Sequence, residues 1–226
     1  MNKTLKIQSL LFLLLASCGV IQPAQFVFPD SSAKDVLGTF RNTYYYMALE
    51  SDFPDQAGTH DLIDLKDIVL ATVSSRYKKA LDMEGTGRLR DGRVVNFAGK
   101  LNGVIRYHVT DFPFGHGVGS CELIPFHSIA VDKNRIPLGS VVQIDESIGM
   151  HLPDGSKHDG LWRAEDIGGA IQNDHIDLFV GAGNQGHVLV KAGITEKIRL
   201  TVRLITPPQA DSCVDKNLDG TLPKEP

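Results

Sequence analysis

Between Ser128 and Gly183 the chain sets three aspartates beside three short apolar runs: Asp132 closes SIAVD, Asp166 lies in WRAEDIGGAI and Asp177 in HIDLFVGAG. Successive side chains of a strand point to opposite faces, so Ile176, Leu178 and Val180 share one face and His175, Asp177 and Phe179 the other. Ile129 and Val131 oppose Asp132 in the same way. Asp177 is therefore expected to point away from the apolar core. Pro137 and Gly139 turn the chain before a strand over Val141–Asp145, and Gly168-Gly169-Ala170 lets the backbone turn tightly or approach a ligand. Each piece alone describes a β-protein with aspartates at strand ends. Three in succession imply one shared cleft.

The order and spacing of AVD-x-x-x-IPLGS, AED-x-GGAI and a further aspartate eleven positions on, in IDLFVG, resemble the three-aspartate (3D) domain, which is shared with the catalytic region of the membrane-bound lytic transglycosylase A family. The resemblance implies a mainly β fold, a six-stranded double-psi β-barrel with short helical insertions. It also implies cleavage of the β-1,4 bond between N-acetylmuramic acid and N-acetylglucosamine in peptidoglycan, with 1,6-anhydromuramoyl products. Carried over by motif, Asp177 is the acid/base, Asp166 supports it and Asp132 is the third acidic member. Gln172-Asn173-Asp174-His175 departs from the Lys-Gly pair more usual there. Two other readings use the same residues: a non-catalytic cell-wall polysaccharide-binding lipoprotein, and a glycan hydrolase on the same barrel.

The chemistry of such a cleft is economical. A hydrolysing glycosidase normally needs two carboxyl groups, whereas a lytic transglycosylase uses the sugar's own C6 hydroxyl as nucleophile, so one aspartate serves as acid and then as base. That aspartate must keep its proton near neutral pH, and like charge on Asp132 and Asp166 is the expected cause. No metal, nucleotide or organic cofactor is required. Candidate substrate contacts are Gly168, Gly169, His175 and Tyr45, the last in the β-rich run FRNTYYYMAL (Phe40 to Leu49), which also carries Thr43.

Residues 1–17 read as a lipoprotein signal peptide: Lys3 and Lys6 precede the apolar run from Leu10 to Ala16, and Leu15-Ala16-Ser17-Cys18 resembles a lipobox, with Cys18 the lipidated residue. Gly19 after the cysteine favours the outer membrane, on the periplasmic face of a bacterial cell envelope. Removing those residues takes away two lysines and no acids, which moves the formal charge from −4 to −6 and leaves nothing to favour nucleic acid. Peptidoglycan glycan strands are the expected partner of a lipid-anchored monomer. Residues 18–37 read as a tether, 38–206 as the catalytic barrel and 207–226 as a disordered polar tail. With Cys18 lipidated, Cys121 and Cys213 remain as a possible pair in an oxidising compartment.

Within 38–206, the segment from Leu62 to Val73 reads as two short strands, and Ser74 or Ser75 caps a helix over Arg76–Glu84 with Tyr77, Ala80, Leu81 and Met83 on its apolar face. Val94–Phe97 and Val104–Val109 are strand candidates, and Ile198–Ile205 alternates as a closing strand. His116, in the Gly-rich run PFGHGVGSC, and His151 and His158, either side of Asp154, read as ordinary surface-loop histidines. The start of an EF-hand-like loop at 215–220 has no glutamate at its twelfth position, where Pro226 stands, and carries no metal assignment.

Overall fold

One long strand belongs to two sheets. In the computed structural model, which describes residues 36–53, 58–218 and 221, β1 (Val36–Leu49) runs for 14 residues. Its first part pairs antiparallel with β11 (Arg199–Thr206) and parallel with β10 (His175–Ala182). The ring continues through β8 (Val141–Ile144), β9 (Leu161–Asp166) and β7 (Ser128–Val131), which returns to β10. Six strands therefore close into a barrel, as expected, with no free edge among them. Its strand order is compatible with double-psi connectivity. Beyond the barrel, Ala48 and Leu49 of β1 pair parallel with β4 (Thr86–Arg88), and β5 (Val94–Leu101) and β6 (Val104–Thr110) extend that second sheet antiparallel.

Alternation decides what fills the barrel. Ile129, Val131, Val142, Ile144, Trp162, Ile176, Leu178, Val180, Leu200 and Val202 all join one buried cluster. The opposite face of β10 is also covered: Phe179 packs with Tyr45, Met47, Leu123 and Ala130 in a separate cluster. A third cluster, with Leu62, Tyr77, Leu81, Val95 and Tyr107, holds together β2 (His60–Ile63), β3 (Val69–Val73), the second sheet and helix α1 (Ser75–Glu84). The Ser74 hydroxyl accepts the Tyr77 N–H at 3.2 Å, and Gly85 ends the helix at a φ of 77°, where a side chain would be strained. Tyr77, Leu81 and Glu84 fall on one side at helical spacing and turn toward β1. Met83 does not share that face and is 75% exposed, which corrects its place in the expected apolar stripe.

Three further expectations change. Val36 and Leu37 belong to β1 and not to a tether. The polar tail is not free, because the pair expected of Cys121 and Cys213 does form, a disulfide with Cα atoms 4.8 Å apart, and the Ser120 N–H donates to the Cys213 carbonyl at 2.9 Å, so residues 207–218 are fastened to the barrel. His158 is buried, stacked between His127 and Trp162 with ring centroids 4.7 and 4.8 Å away, because the 150–160 loop folds back over the barrel end; His151 is exposed. α2 (His187–Lys191) covers the barrel near β10. No helix among the described residues is long and apolar enough to cross a membrane. The signal peptide, Cys18, most of the tether and the end of the 215–220 motif lie outside the described residues.

The disulfide closes 92 residues of chain, so reducing it constrains the unfolded ensemble less and costs about 2–5 kcal/mol. Cys121→Ala with Cys213→Ala is expected to lower the melting temperature by roughly 5–15 °C. An unchanged melting curve would remove the tail from the account of stability.

Candidate active site

The barrel and the second sheet meet at a cleft of about 510 Å³. Tyr45, Asp166, Gly168, Gly169 and Asp177 line it from the barrel, Glu84, Phe97 and Lys100 from the other side, and His116 and Gly117 from the Gly-rich loop. A hollow of similar size, about 520 Å³, lies between the Gly149–Pro153 segment and α2, but it lacks clustered carboxylates. Asp82, Glu84, Asp166 and Asp177 make the first cleft the chemical one.

Asp177 sits on β10 directly opposite Thr43 in the parallel β1–β10 pairing. That register places the Thr43 hydroxyl 2.6 Å from Oδ1, to which it donates. Having donated, Thr43 accepts from His175 Nε2 at 2.8 Å, and the other ring nitrogen, Nδ1, receives the Arg41 guanidinium at 2.8 Å. Nδ1 also lies 3.3 Å from the Ala170 carbonyl, and the shorter Arg41 bond favours the neutral tautomer with its proton on Nε2, in which one proton direction runs from Arg41 through His175 and Thr43 to Asp177. Burial lowers the affinity of His175 for a second proton, in keeping with that form. For Asp177 burial is the main influence and pushes the carboxyl up to about 6; the Thr43 bond opposes the rise and the Asp166 charge adds to it. The cause differs from the expected one: desolvation leads, like charge from Asp166 is secondary, and Asp132 does not contribute.

Asp166 stands at the end of β9, and both its oxygens accept hydrogen bonds. Tyr45 O–H donates to Oδ2 at 2.9 Å and the Ile167 N–H to Oδ1 at 2.8 Å. Burial, then the Asp166 charge, holds the Tyr45 hydroxyl well above its ordinary range, so it remains a donor. The Gly-rich loop crosses directly over this point. A Cβ at Gly117 would collide with the Glu165 carbonyl oxygen and lie 3.0 Å from Asp166 Cβ, so only glycine permits the approach. Asn96 pins the loop by accepting the His116 N–H at 3.0 Å and donating to the His116 carbonyl at 3.2 Å. His116 is buried, with Nε2 2.7 Å from that of His108, and is not the surface-loop residue its glycine neighbours suggested.

Not every residue singled out reaches the cleft. Asp177, Asp166, Tyr45, Gly168 and Gly169 line it. A side chain at Gly169 would meet nothing within 4 Å, so packing does not demand glycine there; its absence keeps the cleft wall low. Asp132 is elsewhere: it accepts the Asn134 N–H at 2.9 Å and the Asn173 N–H at 2.6 Å, and these two bonds, Asn134 first, hold its carboxyl below the usual range. It ties the turn after β7 to the turn before β10. His175 is buried behind Thr43, with both ring nitrogens engaged by protein, and so does not line the cleft. Sequence reading missed Arg41 and Glu84, and found Thr43 only as part of a β-rich run.

Among the described residues two groups have metal-ligand composition: Cys121, Glu165 and Cys213, and His127, His158 and Asp159. The first pair of cysteines is oxidised, and His158 already accepts the Gly160 N–H at 2.7 Å and contacts the Phe126 carbonyl through its other nitrogen. Neither group is in the cleft.

A carboxyl raised by folding binds its proton more tightly in the native state, so its contribution favours folding least at high pH; stability falls as pH rises from the unfolded value near 4 to about 6. Asp177→Asn keeps an oxygen for Thr43 and removes the penalty. It is expected to stabilise the protein by about 1–3 kcal/mol at pH 8 and by almost nothing at pH 3.5, read from urea unfolding. Equal effects at both pH values would contradict the buried-carboxylate account.

Residues 127–202 match the family model of the 3D domain. No curated protein matches the chain in sequence. Among solved structures, the chain is similar to E. coli MltA with bound chitohexaose, at 18% identity and a TM-score of 0.51 over 76% of this chain and 73% of that one. A membrane-bound lytic murein transglycosylase from Agrobacterium tumefaciens matches at 16% identity and a TM-score of 0.47 over 73% of each chain. Residues 127–202 are therefore similar to a 3D domain, and the fold of the chain is similar to that of MltA.

Proposed function

We propose that the protein is a peptidoglycan lytic transglycosylase that cleaves the β-1,4 bond between N-acetylmuramic acid and N-acetylglucosamine and leaves a 1,6-anhydromuramoyl end. The observation that carries this reading is Asp177: a desolvated carboxyl, able to hold a proton close to neutral pH, lining a cleft of about 510 Å³ beside Asp166. The fold it shares with MltA, a protein solved with a chito-oligosaccharide, supports the same reading.

In this mechanism protonated Asp177 donates its proton to the glycosidic oxygen as the C1–O bond breaks. The C6 hydroxyl of the same muramoyl residue then forms the new bond to C1 and returns its proton to the Asp177 carboxylate. Protons balance, no water is consumed, and the enzyme ends as it began. Thr43 fixes the orientation of the carboxyl through Oδ1 and leaves Oδ2 for the proton transfer. Asp166, held by Tyr45 and the Ile167 N–H, places negative charge where positive charge develops on the sugar. Asp132 acts through the loop it braces and not on the substrate.

Asp177→Asn preserves shape and removes the transferable proton, so release of anhydromuropeptides from sacculi should fall by about 10²- to 10⁴-fold. Asp166→Asn should lose less and move the alkaline limb of the pH profile to lower pH, since a neighbouring negative charge no longer favours the protonated acid. Thr43→Val should move the same limb to higher pH, because the lost hydrogen bond had favoured the ionised form. Near wild-type turnover by folded Asp177→Asn, or sacculus binding by the wild type with no product, would refute the reading.

Localisation is part of the same proposal: cleavage before Cys18 and its lipidation tether the barrel to the outer membrane, beside its polymer. Cys18→Ser should release the protein from the membrane fraction. Unaltered fractionation and processing would refute the anchor.

A further inference from the structure

Resting on the reading just given, we propose that Glu84 is a second functional carboxyl of the cleft, a hydrogen-bond donor to the bound glycan on the side facing Asp177. Three independent placements lead there. Glu84 is the last residue of α1, on the same helical side as Tyr77 and Leu81, so the packing that buries those two also swings it toward β1. The register between β1 and β10 shifts between Tyr45 and Met47, and at this irregularity the Tyr46 N–H donates to Glu84 Oε2 at 3.0 Å. Glu84 lines the cleft with Asp166 and Asp177. One oxygen is thus fixed by main chain and the other, Oε1, is left for a ligand, just as Thr43 fixes one oxygen of Asp177.

The surroundings select the protonated form. Asp166 and Asp177 share the cleft from the barrel, Tyr45 and Tyr46 stand on β1, Asp82 lies on the same helix, and Lys100, which is exposed, is the cation of the lining. His116 faces the cleft from the Gly-rich loop. Asp82 is already ion-paired with Lys78, so Asp166 and Asp177 against one exposed lysine leave a further buried negative charge at Glu84 unfavourable. Burial pushes the Glu84 carboxyl up to about 7, against the Tyr46 N–H, with the Asp177 charge adding to the rise. Glu84 therefore keeps its proton into the neutral range. A sugar hydroxyl or acetamido oxygen is a suitable acceptor for it.

The test measures chitohexaose binding to the full chain by calorimetry at pH 6.5 and 8.5, a window above most of the Asp177 titration. Wild-type affinity should fall about 3- to 10-fold over this window, the worth of one hydrogen bond. Glu84→Gln presents an oxygen to the Tyr46 N–H and an N–H₂ donor at every pH, so its affinity should change less than about twofold. Glu84→Ala should bind weakly at both pH values. A wild-type fall reproduced in Glu84→Gln, or wild-type affinity in Glu84→Ala, overturns the role. Chitohexaose binding by a wild type that cleaves no sacculi would refute the lytic reading while leaving the Glu84 comparison decisive; absence of wild-type binding would refute both.

Discussion

The hydrogen bond from Thr43 to a partly desolvated Asp177 is the contact on which the site depends. It exists because β1 and β10 run parallel in a register that sets residues 43 and 177 side by side. Parallel neighbours cannot be joined by a tight turn, so this pair is made by chain segments more than a hundred residues apart, and the barrel has to close before the carboxyl is placed. Burial and the hydrogen bond pull in opposite directions on its proton. Burial wins, by an amount that leaves the group titrating near the pH at which an acid/base works best.

β1 links this contact to everything around it. Arg41 and Thr43 contact the chain of hydrogen bonds to Asp177, Tyr45 holds Asp166, the Tyr46 N–H holds Glu84, and Ala48 and Leu49 carry the strand into the second sheet. A strand whose ends serve two sheets fixes the separation of the cleft walls. The disulfide acts on a different wall: Cys121 ends the Gly-rich loop that lies against Glu165 and Asp166, so fastening the tail there also limits movement of that loop. Desolvated carboxyls in such a place oppose folding, and the large apolar cluster inside the barrel offsets them.

Local pattern made much of this legible. Period-2 alternation placed Ile176, Leu178 and Val180 inside and Asp177 on the opposite face, and the serine before Tyr77 marked the start of α1. The aspartate motifs located the cleft, since Asp166 and Asp177 do converge there. What escaped was set by contacts distant in sequence. Asp132 carries the same motif signature, but its oxygens are taken by the N–H groups of Asn134 and Asn173, which no spacing announces. His175 falls on the same face of β10 as Asp177 yet is sealed behind Thr43. Glu84 reads as a polar helix end until the irregularity at Tyr46 supplies it with a partner. His158 looks like a loop residue because sequence does not show the loop folding onto Trp162.

The central claim is that the fold, through desolvation, keeps a proton on Asp177 into the range where it can protonate a glycosidic oxygen. Following the Asp177 side-chain carboxyl ¹³C resonance against pH in the free protein measures this directly, with Asp177→Asn identifying the signal. The account predicts a midpoint near 6. A midpoint at or below about 4, the value of an unperturbed aspartate, would contradict it.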